Sequence, residues 1–386
     1  MGQLDIGIVG TSNKDGDLRR PIHPLHLDRI DEDLRAHIFV ETGYGDRFGV
    51  SDERVAPWVG GLRSRAELIA HCDVIALPKP THADVEQLQE GQVLWGWPHC
   101  VQDATLTQLA IDRRLTLIAW EAMNLWHEDD SFALHVFHMN NELAGYASVM
   151  HALQLLGRTG HYGRRLNAAV ISFGATGRGA VTALQAMGIS DVTVLTHRET
   201  TAVSAPTPGV LFGQFERVAK DSPSTVAMKS TGPVPTAEFL AEHDVVVNCV
   251  LQNPANPLLF VTGDELDLFR SGTLFVDVSC DEGMGFSFAR PTSFAEPLFD
   301  VGDGAHYYGV DHSPSFLWNS ATWEISEAVI PFLRPVIDGP SGWDADATLR
   351  RAIEIRDGVV QNPEILAFQQ RAAEYPHPTT AGDAGA

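Results

Sequence analysis

The run AAVISFGATGRGAVTALQAMG, residues 168–188, joins an apolar stretch, a glycine-rich turn and a stretch whose apolar residues have helical spacing. A short unbroken apolar run is what a parallel strand buried on both faces requires. Gly174, Gly177 and Gly179 stand directly after it, where the helix begins. Backbone without Cβ atoms lets a ligand come close, and the N–H groups of a helix start receive negative charge. The pattern reads as a loop for the pyrophosphate of a dinucleotide, with a plain tight turn as the alternative. Counted from Gly174, the spacing departs from G-x-G-x-x-G, because Thr176 takes the second glycine position and Arg178 separates Gly177 from Gly179.

The next strand-like run ends in VTVLTHRE, residues 192–199. An acidic side chain at such a strand end serves a ribose 2′-hydroxyl; here stand Thr196, His197 and Arg198. A guanidinium beside a hydroxyl and an imidazole suits a 2′-phosphate, which favours NADP(H) over NAD(H). The competing reading leaves Arg198 in solvent.

Outward from this centre, strand-like and helix-like pieces alternate. Strands are expected at residues 4–9, 37–41, 74–77, 93–97 and 117–120, and helices near 26–34, 83–88 and 104–113. Residues 140–156 carry apolar residues at helical spacing over a length that can bridge two domains. Residues 244–250 and 273–278 read as further buried strands, and helices are expected around 323–333, 347–356 and 363–375. Alternation of this kind implies parallel α/β sheets, and 386 residues suggest two domains. The tail PHPTTAGDAGA, residues 376–386, reads as unstructured.

Charge narrows the function classes. Fifty acidic against 27 basic residues give a net charge of −23, which opposes binding to nucleic acid or an anionic membrane surface. No apolar run reaches the roughly 18 residues that a membrane span needs, and the N-terminus has no basic segment followed by an apolar one, so a cytoplasmic protein is expected. Cys72, Cys100, Cys249 and Cys280 are far apart in sequence, with no metal-ligand spacing, and read as reduced thiols. His135 and His138 lie three apart with nothing nearby to complete a metal site, and no metal is expected.

Three other segments bear chemistry. GQVLWGWPHC, residues 91–100, ends an apolar strand at His99 behind Trp95 and Trp97, a setting that can tune an imidazole toward acid/base work, although a satisfied core histidine reads equally simply. TLFVDVSCDEGMGF, residues 273–286, places Asp277 and Asp281 at the carboxyl end of a strand, where open α/β sheets bind ligands. Asp281 can hold an amine, orient His99, meet a nicotinamide ribose or cap the loop. HYYGVDHSPSFLWNSAT, residues 306–322, brings His306, Asp311 and His312 to a turn before a helix.

With RRPIHP, VETGYGDRFGVSDE, WPH, HMNNELAGYASV, the glycine loop, VLQNPANPLLFV, FVDVSCDEG and HYYGVDHSPS in view, the chain resembles the alanine dehydrogenase and transhydrogenase-like superfamily over nearly its whole length. AHYYGVDHSPSFLW and FGATGRG look closer to carboxyethylornithine synthase and lysine-forming saccharopine dehydrogenase. The resemblance implies two Rossmann-like domains: a discontinuous substrate domain, residues 1–138 plus 313–386, clasping a central doubly wound NAD(P)-binding domain, residues 139–312, with the active site between them.

The resemblance also assigns residues. It implies a carboxylate clamp at Arg19, or at its neighbour Arg20, an acid/base at His99, an acidic substrate contact at Glu121, a phosphate contact at Asn141, the family's aspartate at Asp281 and a nicotinamide neighbour at His312. The family's substrate lysine falls on Pro78, one residue before Lys79. Lys79 can take its role only if it lies beyond the strand end, because a shift of one residue within a strand turns the side chain to the other face. The implied substrates are an amino acid and a 2-oxo acid, joined by reduction of their imine, with amino acid oxidative deamination as the alternative. A nucleotide-binding homologue without catalysis is a lesser one, and the family admits a homo-oligomer.

Overall fold

The computed structural model describes residues 2–198, 207–253 and 256–379. Pro254 and Ala255 of VLQNPANPLLFV, and the tail from Thr380 onward, lie outside the described residues. The chain divides into two units, Met1–His138 with Trp318–Ala386, and Met139–Leu317.

In the first unit the short apolar runs form parallel strands β1 (Ile6–Ile8), β2 (Ile38–Glu41), β3 (Gly61–Arg63), β4 (Val74–Ala76), β5 (Val93–Gly96) and β6 (Thr116–Ala119). Their order is β6-β5-β4-β1-β2-β3, so the winding reverses between β1 and β4. Apart from the half-buried β3, these strands are buried along their whole length and rich in Ile, Val, Leu and Ala, as coverage of both faces requires. Beyond β6 the sheet gains two antiparallel strands, Ile353–Arg356 and Val359–Val360. The helix expected over 347–356 therefore ends early, at Ala352, because the alternating IEIR run completes the sheet edge beside β6. Near residues 26–34 the expected helix is a 3₁₀ turn, Pro24–Arg29, capped by the His23 side chain. Helix α1 (Arg65–His71) starts at a Ser64/Glu67 capping box.

The second unit repeats the winding. Helix α2 (His138–Leu155) leads to β7 (Asn167–Ile171), helix α3 (Ala175–Ala186), β8 (Asp191–Thr196), β9 (Val210–Arg217), β10 (Val245–Asn248), β11 (Leu274–Asp277) and β12 (Ala305–Tyr308). The parallel order β9-β8-β7-β10-β11-β12 is that of a doubly wound dinucleotide fold, with antiparallel strands added at both edges. Helices α2 and α3 touch backbone to backbone. A Cβ on Gly179 would lie 1.7 Å from the Glu142 carbonyl oxygen, and one on Gly145 would lie 1.9 Å from that of Thr176.

At the C-terminal end, helix Pro363–Phe368 is shorter than expected. The segment that follows is fixed rather than unstructured through Thr379: His377 is buried, its Nε2 accepts the Val360 N–H at 3.1 Å, and Arg371 bridges to Thr379. All four cysteines are buried free thiols. Among the described residues, no helix is long and apolar enough to cross a membrane.

Candidate functional site

In the first unit the candidate residues gather at the carboxyl ends of the strands. Pairing beyond β4 continues through Leu77 N–H to Trp95 O (3.1 Å) and Trp97 N–H to Pro78 O (2.8 Å). Lys79 is the first residue past that ladder, between the buried Pro78 and Pro80, so it meets the condition set by the sequence. His99 follows β5 with φ 50, a left-handed conformation, and its side chain is 46% exposed. The His99 N–H donates to Glu121 Oε1 at 2.7 Å, and the ring Nδ1 lies 3.9 Å from the same oxygen. His99 is therefore not a buried core histidine.

Glu121 sits in the turn after β6. Its Oε2 is buried with no hydrogen-bond partner among the described residues. Burial pushes its carboxyl up to about 8, with the charge of Glu354 adding to this and the His99 N–H and Lys79 opposing it. Trp97, Trp120 and Phe137 pack beside this turn, with Trp120 and Phe137 stacked at 5.0 Å. Trp95 and Trp97 belong to the core, whereas Trp126 and Trp318 are half-buried.

The two arginines differ. Arg19 is buried and donates through Nε and Nη2 to Asp17 Oδ1 (2.8 Å) and Oδ2 (2.7 Å), with its guanidinium 5.2 Å from the Trp97 ring centre. Arg20 is half-buried over Tyr44, and its Nε is buried without a partner among the described residues. Burial lowers the pKa of Arg20, so a carboxylate partner would restore what it loses. Of the two, Arg20 has the unmet donor.

A residue missed in the sequence occupies the corresponding loop of this unit. Glu41, at the end of β2, accepts N–H groups of Gly10 (2.6 Å) and Thr11 (2.8 Å), with the Thr11 hydroxyl at 2.9 Å. Its own carboxylate thus fills the anion position of the loop after β1. The signal available in sequence was an acidic residue at the second strand end.

The loop after β7 is different. Ser172 has φ 81, Gly174 starts α3 with no side chain capping the helix, and a Cβ on Gly174 would meet nothing within 4 Å. Gly177 would strike Ser172 O at 2.3 Å, so it secures close packing of helix on strand. The fingerprint therefore begins two residues earlier than counted in the sequence: Ser172-x-Gly174-x-x-Gly177, with serine in the turn position. Gly179 belongs to the α2 contact instead. Open space at Gly174 and an uncapped helix start fit a pyrophosphate. Thr176 lies half-buried in the first turn of α3, and Arg178 is exposed.

At the end of β8, Thr196 is buried and its hydroxyl accepts the Arg198 N–H at 3.1 Å, so it shapes the turn. His197 and Arg198 are exposed, His197 edge-on to Phe215. Asn141 is half-buried in the first turn of α2, beside the buried Asn140. Asp277 is fully buried and accepts from Asn248 Nδ2 (3.0 Å), the Tyr307 hydroxyl (2.9 Å) and Cys280 N–H (3.2 Å). Burial pushes Asp277 up to about 7 and the partly buried Asp281 up to about 6. Buried His312 pairs Nδ1 with Asp311 Oδ1 at 2.7 Å and packs edge-on to Phe294, whereas His306 pairs with Asp300. The half-buried His135 pairs with the Glu121 carbonyl oxygen at 3.2 Å.

With this geometry in place, comparison with known proteins is informative. Residues 162–363 match the family described as alanine dehydrogenase/PNT, C-terminal domain, and residues 10–144 match alanine dehydrogenase/PNT, N-terminal domain. The chain is similar to an N(5)-(carboxyethyl)ornithine synthase from Clostridium botulinum, with 22% identity over 326 residues, 82% of this chain and 90% of that protein. It is also similar to an alanine dehydrogenase from Halomonas elongata, with 26% identity over 346 residues, 84% of this chain and 86% of that protein. A solved L-alanine dehydrogenase shares the fold, with a TM-score of 0.72 at 19% identity over 95% of this chain and 99% of its own.

Proposed function

The chain belongs to the alanine dehydrogenase/PNT family, and from that premise we propose that it reduces the imine formed between an amino acid and a 2-oxo acid, at the expense of NADPH. In this reading the first unit is the substrate domain and the second holds the dinucleotide on Gly174 and the start of α3, with Arg198 and His197 at the adenosine 2′-phosphate. When bound, the reduced nicotinamide supplies the hydride that turns imine into secondary amine.

The observation that carries the proposal is the Glu121–His99 pair. A half-exposed imidazole beside a part-buried carboxyl that desolvation pushes up to about 8 suits proton movement between amine, carbinolamine oxygen and solvent. His99, with Lys79 beside the same strand ends, takes the proton released as the amine attacks the oxo acid and returns one as water leaves. Arg20 holds a substrate carboxylate by its unmet donor, and Arg19 buttresses the loop through Asp17. Asn141, Asp281 and His312 serve the cofactor side. The N(5)-(carboxyethyl)ornithine synthase relative and the DHSPS turn with its fixed Asp311–His312 pair support an amino acid as the amine.

A second reading, reductive amination with ammonia, is favoured by the alanine dehydrogenase relative. Oxidation of NADPH, with NADH in parallel, separates the two when pyruvate or 2-oxoglutarate is offered with ammonia, ornithine, lysine, alanine or arginine. Turnover that requires an amino acid supports imine reduction between two substrates, and turnover with ammonia alone replaces it with the second reading.

A further inference from the structure

The proposed reaction uses the carboxyl edge of the second unit's sheet. At the opposite, amino edge the chain brings together residues 160–167, the end of α3 through Ser190, Asp191, Asp244 and Arg270 around a groove of about 850 Å³. That volume is in the range of small-ligand sites.

The groove runs against the charge of the molecule. In a chain with 50 acidic and 27 basic residues, the segment GRTGHYGRR, residues 157–165, has three arginines, one histidine and no acid. Arg164 donates through Nη1 and Nη2 to Asp244 at 3.0 and 2.8 Å, and Arg270 Nη1 lies 3.9 Å from the same carboxylate. Burial alone would push Asp244 up, but the Arg164 hydrogen bonds and the Asn167 N–H hold it below the usual carboxylate range. One buried carboxylate thus sets two guanidiniums side by side, each 64% exposed. Arg165 and His161 line the same groove, and Asp191 is the remaining acid. The helix carbonyl end that would repel an anion is covered, because Met187 O accepts from Gly160 N–H and from Thr159 Oγ1, both at 2.8 Å. Repulsion from distant carboxylates is screened beyond about 8–10 Å, so the local guanidiniums decide what binds.

We propose that this groove is a second ligand site that takes a small phosphate-bearing anion, held by Arg164, Arg165 and Arg270 and separate from the dinucleotide loop. The planar fork of arginine matches phosphate oxygens; Arg164 spends its fork on Asp244, so Arg165 and Arg270 supply the free donors, and three guanidiniums against Asp244 and Asp191 leave the groove with one positive charge in excess.

The test is calorimetric titration of the full-length protein with pyrophosphate at an ionic strength of about 0.1 M, with NADPH present in excess to occupy the loop after β7. The expected result is saturable binding that weakens about tenfold or more in Arg165→Ala/Arg270→Ala and is retained in good part in Arg165→Lys/Arg270→Lys. Arg164 is left in place because it satisfies the buried Asp244. No saturable binding by the unaltered protein, or equal binding by the alanine variant, overturns the proposal. A change of oligomeric state in the variant without any pyrophosphate binding also overturns it and makes the groove an interface. Repeating the titration without NADPH keeps this outcome distinct from failure of the dinucleotide assignment.

Discussion

The backbone N–H of His99 donates to Glu121 Oε1 at 2.7 Å, so the residue after one strand fixes the residue after its neighbour. The bond matters because His99 holds φ 50, a conformation that costs a non-glycine residue about 1–2 kcal/mol. The imidazole is thereby presented by a strained backbone that a part-buried carboxyl pins in place. Position and protonation of the pair are coupled, and each can be tested separately.

Glu121→Gln keeps an oxygen for the His99 N–H and removes the titration. The carboxyl is raised from 4.5 to about 8 in the folded protein, so between those values the folded state binds more protons than the unfolded one. The stability it contributes is fully present below 4.5 and is lost as pH rises through about 8. Denaturant midpoints at about pH 6 and about pH 9 should fall for the unaltered protein and change less for the variant. A constant offset between the two proteins rejects this titration.

His99→Ala should lower turnover by roughly two to four orders of magnitude while NADPH binding stays nearly unchanged, the range expected for loss of a general acid/base. Single-turnover rates and NADPH fluorescence titration check both halves. Ordinary activity removes His99 from the chemistry.

The arginines should separate cleanly. Arg20→Lys should raise the KM for the oxo acid about tenfold to a hundredfold with little change in the unfolding midpoint, because among the described residues its fork donates only to the Leu18 and Arg19 carbonyl oxygens and to no acidic side chain. Arg19→Ala leaves Asp17 buried without its guanidinium and should cost about 3–5 kcal/mol of stability. Chemical denaturation beside steady-state kinetics reads both. The opposite pattern would transfer the substrate contact to Arg19.

Much of this architecture was legible because parallel strands buried on both faces are short apolar runs, as at Val245–Asn248 and Leu274–Asp277. The strand Ile353–Arg356 was hidden because Leu349 and Ala352 extend a helical spacing up to it, and only its place beside β6 makes it a strand. The site was legible in residue type and not in commitment. Nothing local distinguishes Arg19 from Arg20, since the difference is a bidentate bond to Asp17. Glu41 was visible as an acidic residue at a strand end, but not in its role, because its partners are backbone N–H groups about thirty residues earlier in the chain. The fingerprint was counted from glycines, and a serine at φ 81 shows its role only in the backbone.

Arg198→Asp tests the cofactor choice. Arg198 is exposed at the end of β8 and follows a turn held by the Thr196 hydroxyl. A carboxylate there repels a 2′-phosphate and accepts a ribose hydroxyl, so the KM for NADPH should rise far more than that for NADH, and the ratio of the two KM values measures the effect. Equal changes in both remove Arg198 from cofactor selection.

Ser172 and Gly179 test the shifted fingerprint. If Ser172 holds the turn position, Ser172→Gly relieves its positive φ, stabilising the unit by about 1 kcal/mol and raising Tm by about 2–4 °C with NADPH binding retained. Gly179→Ala should do the reverse, because its Cβ would lie 1.7 Å from the Glu142 carbonyl oxygen and must push α2 off α3. Overpacking of that kind costs about 1–3 kcal/mol or more. The two variants lie on one short segment yet are expected to move Tm in opposite directions, and calorimetric scans of both decide the assignment. A destabilised Ser172→Gly together with a neutral Gly179→Ala would return the loop to the count that starts at Gly174, in which Gly179 approaches the ligand and Ser172 is only the end of a strand.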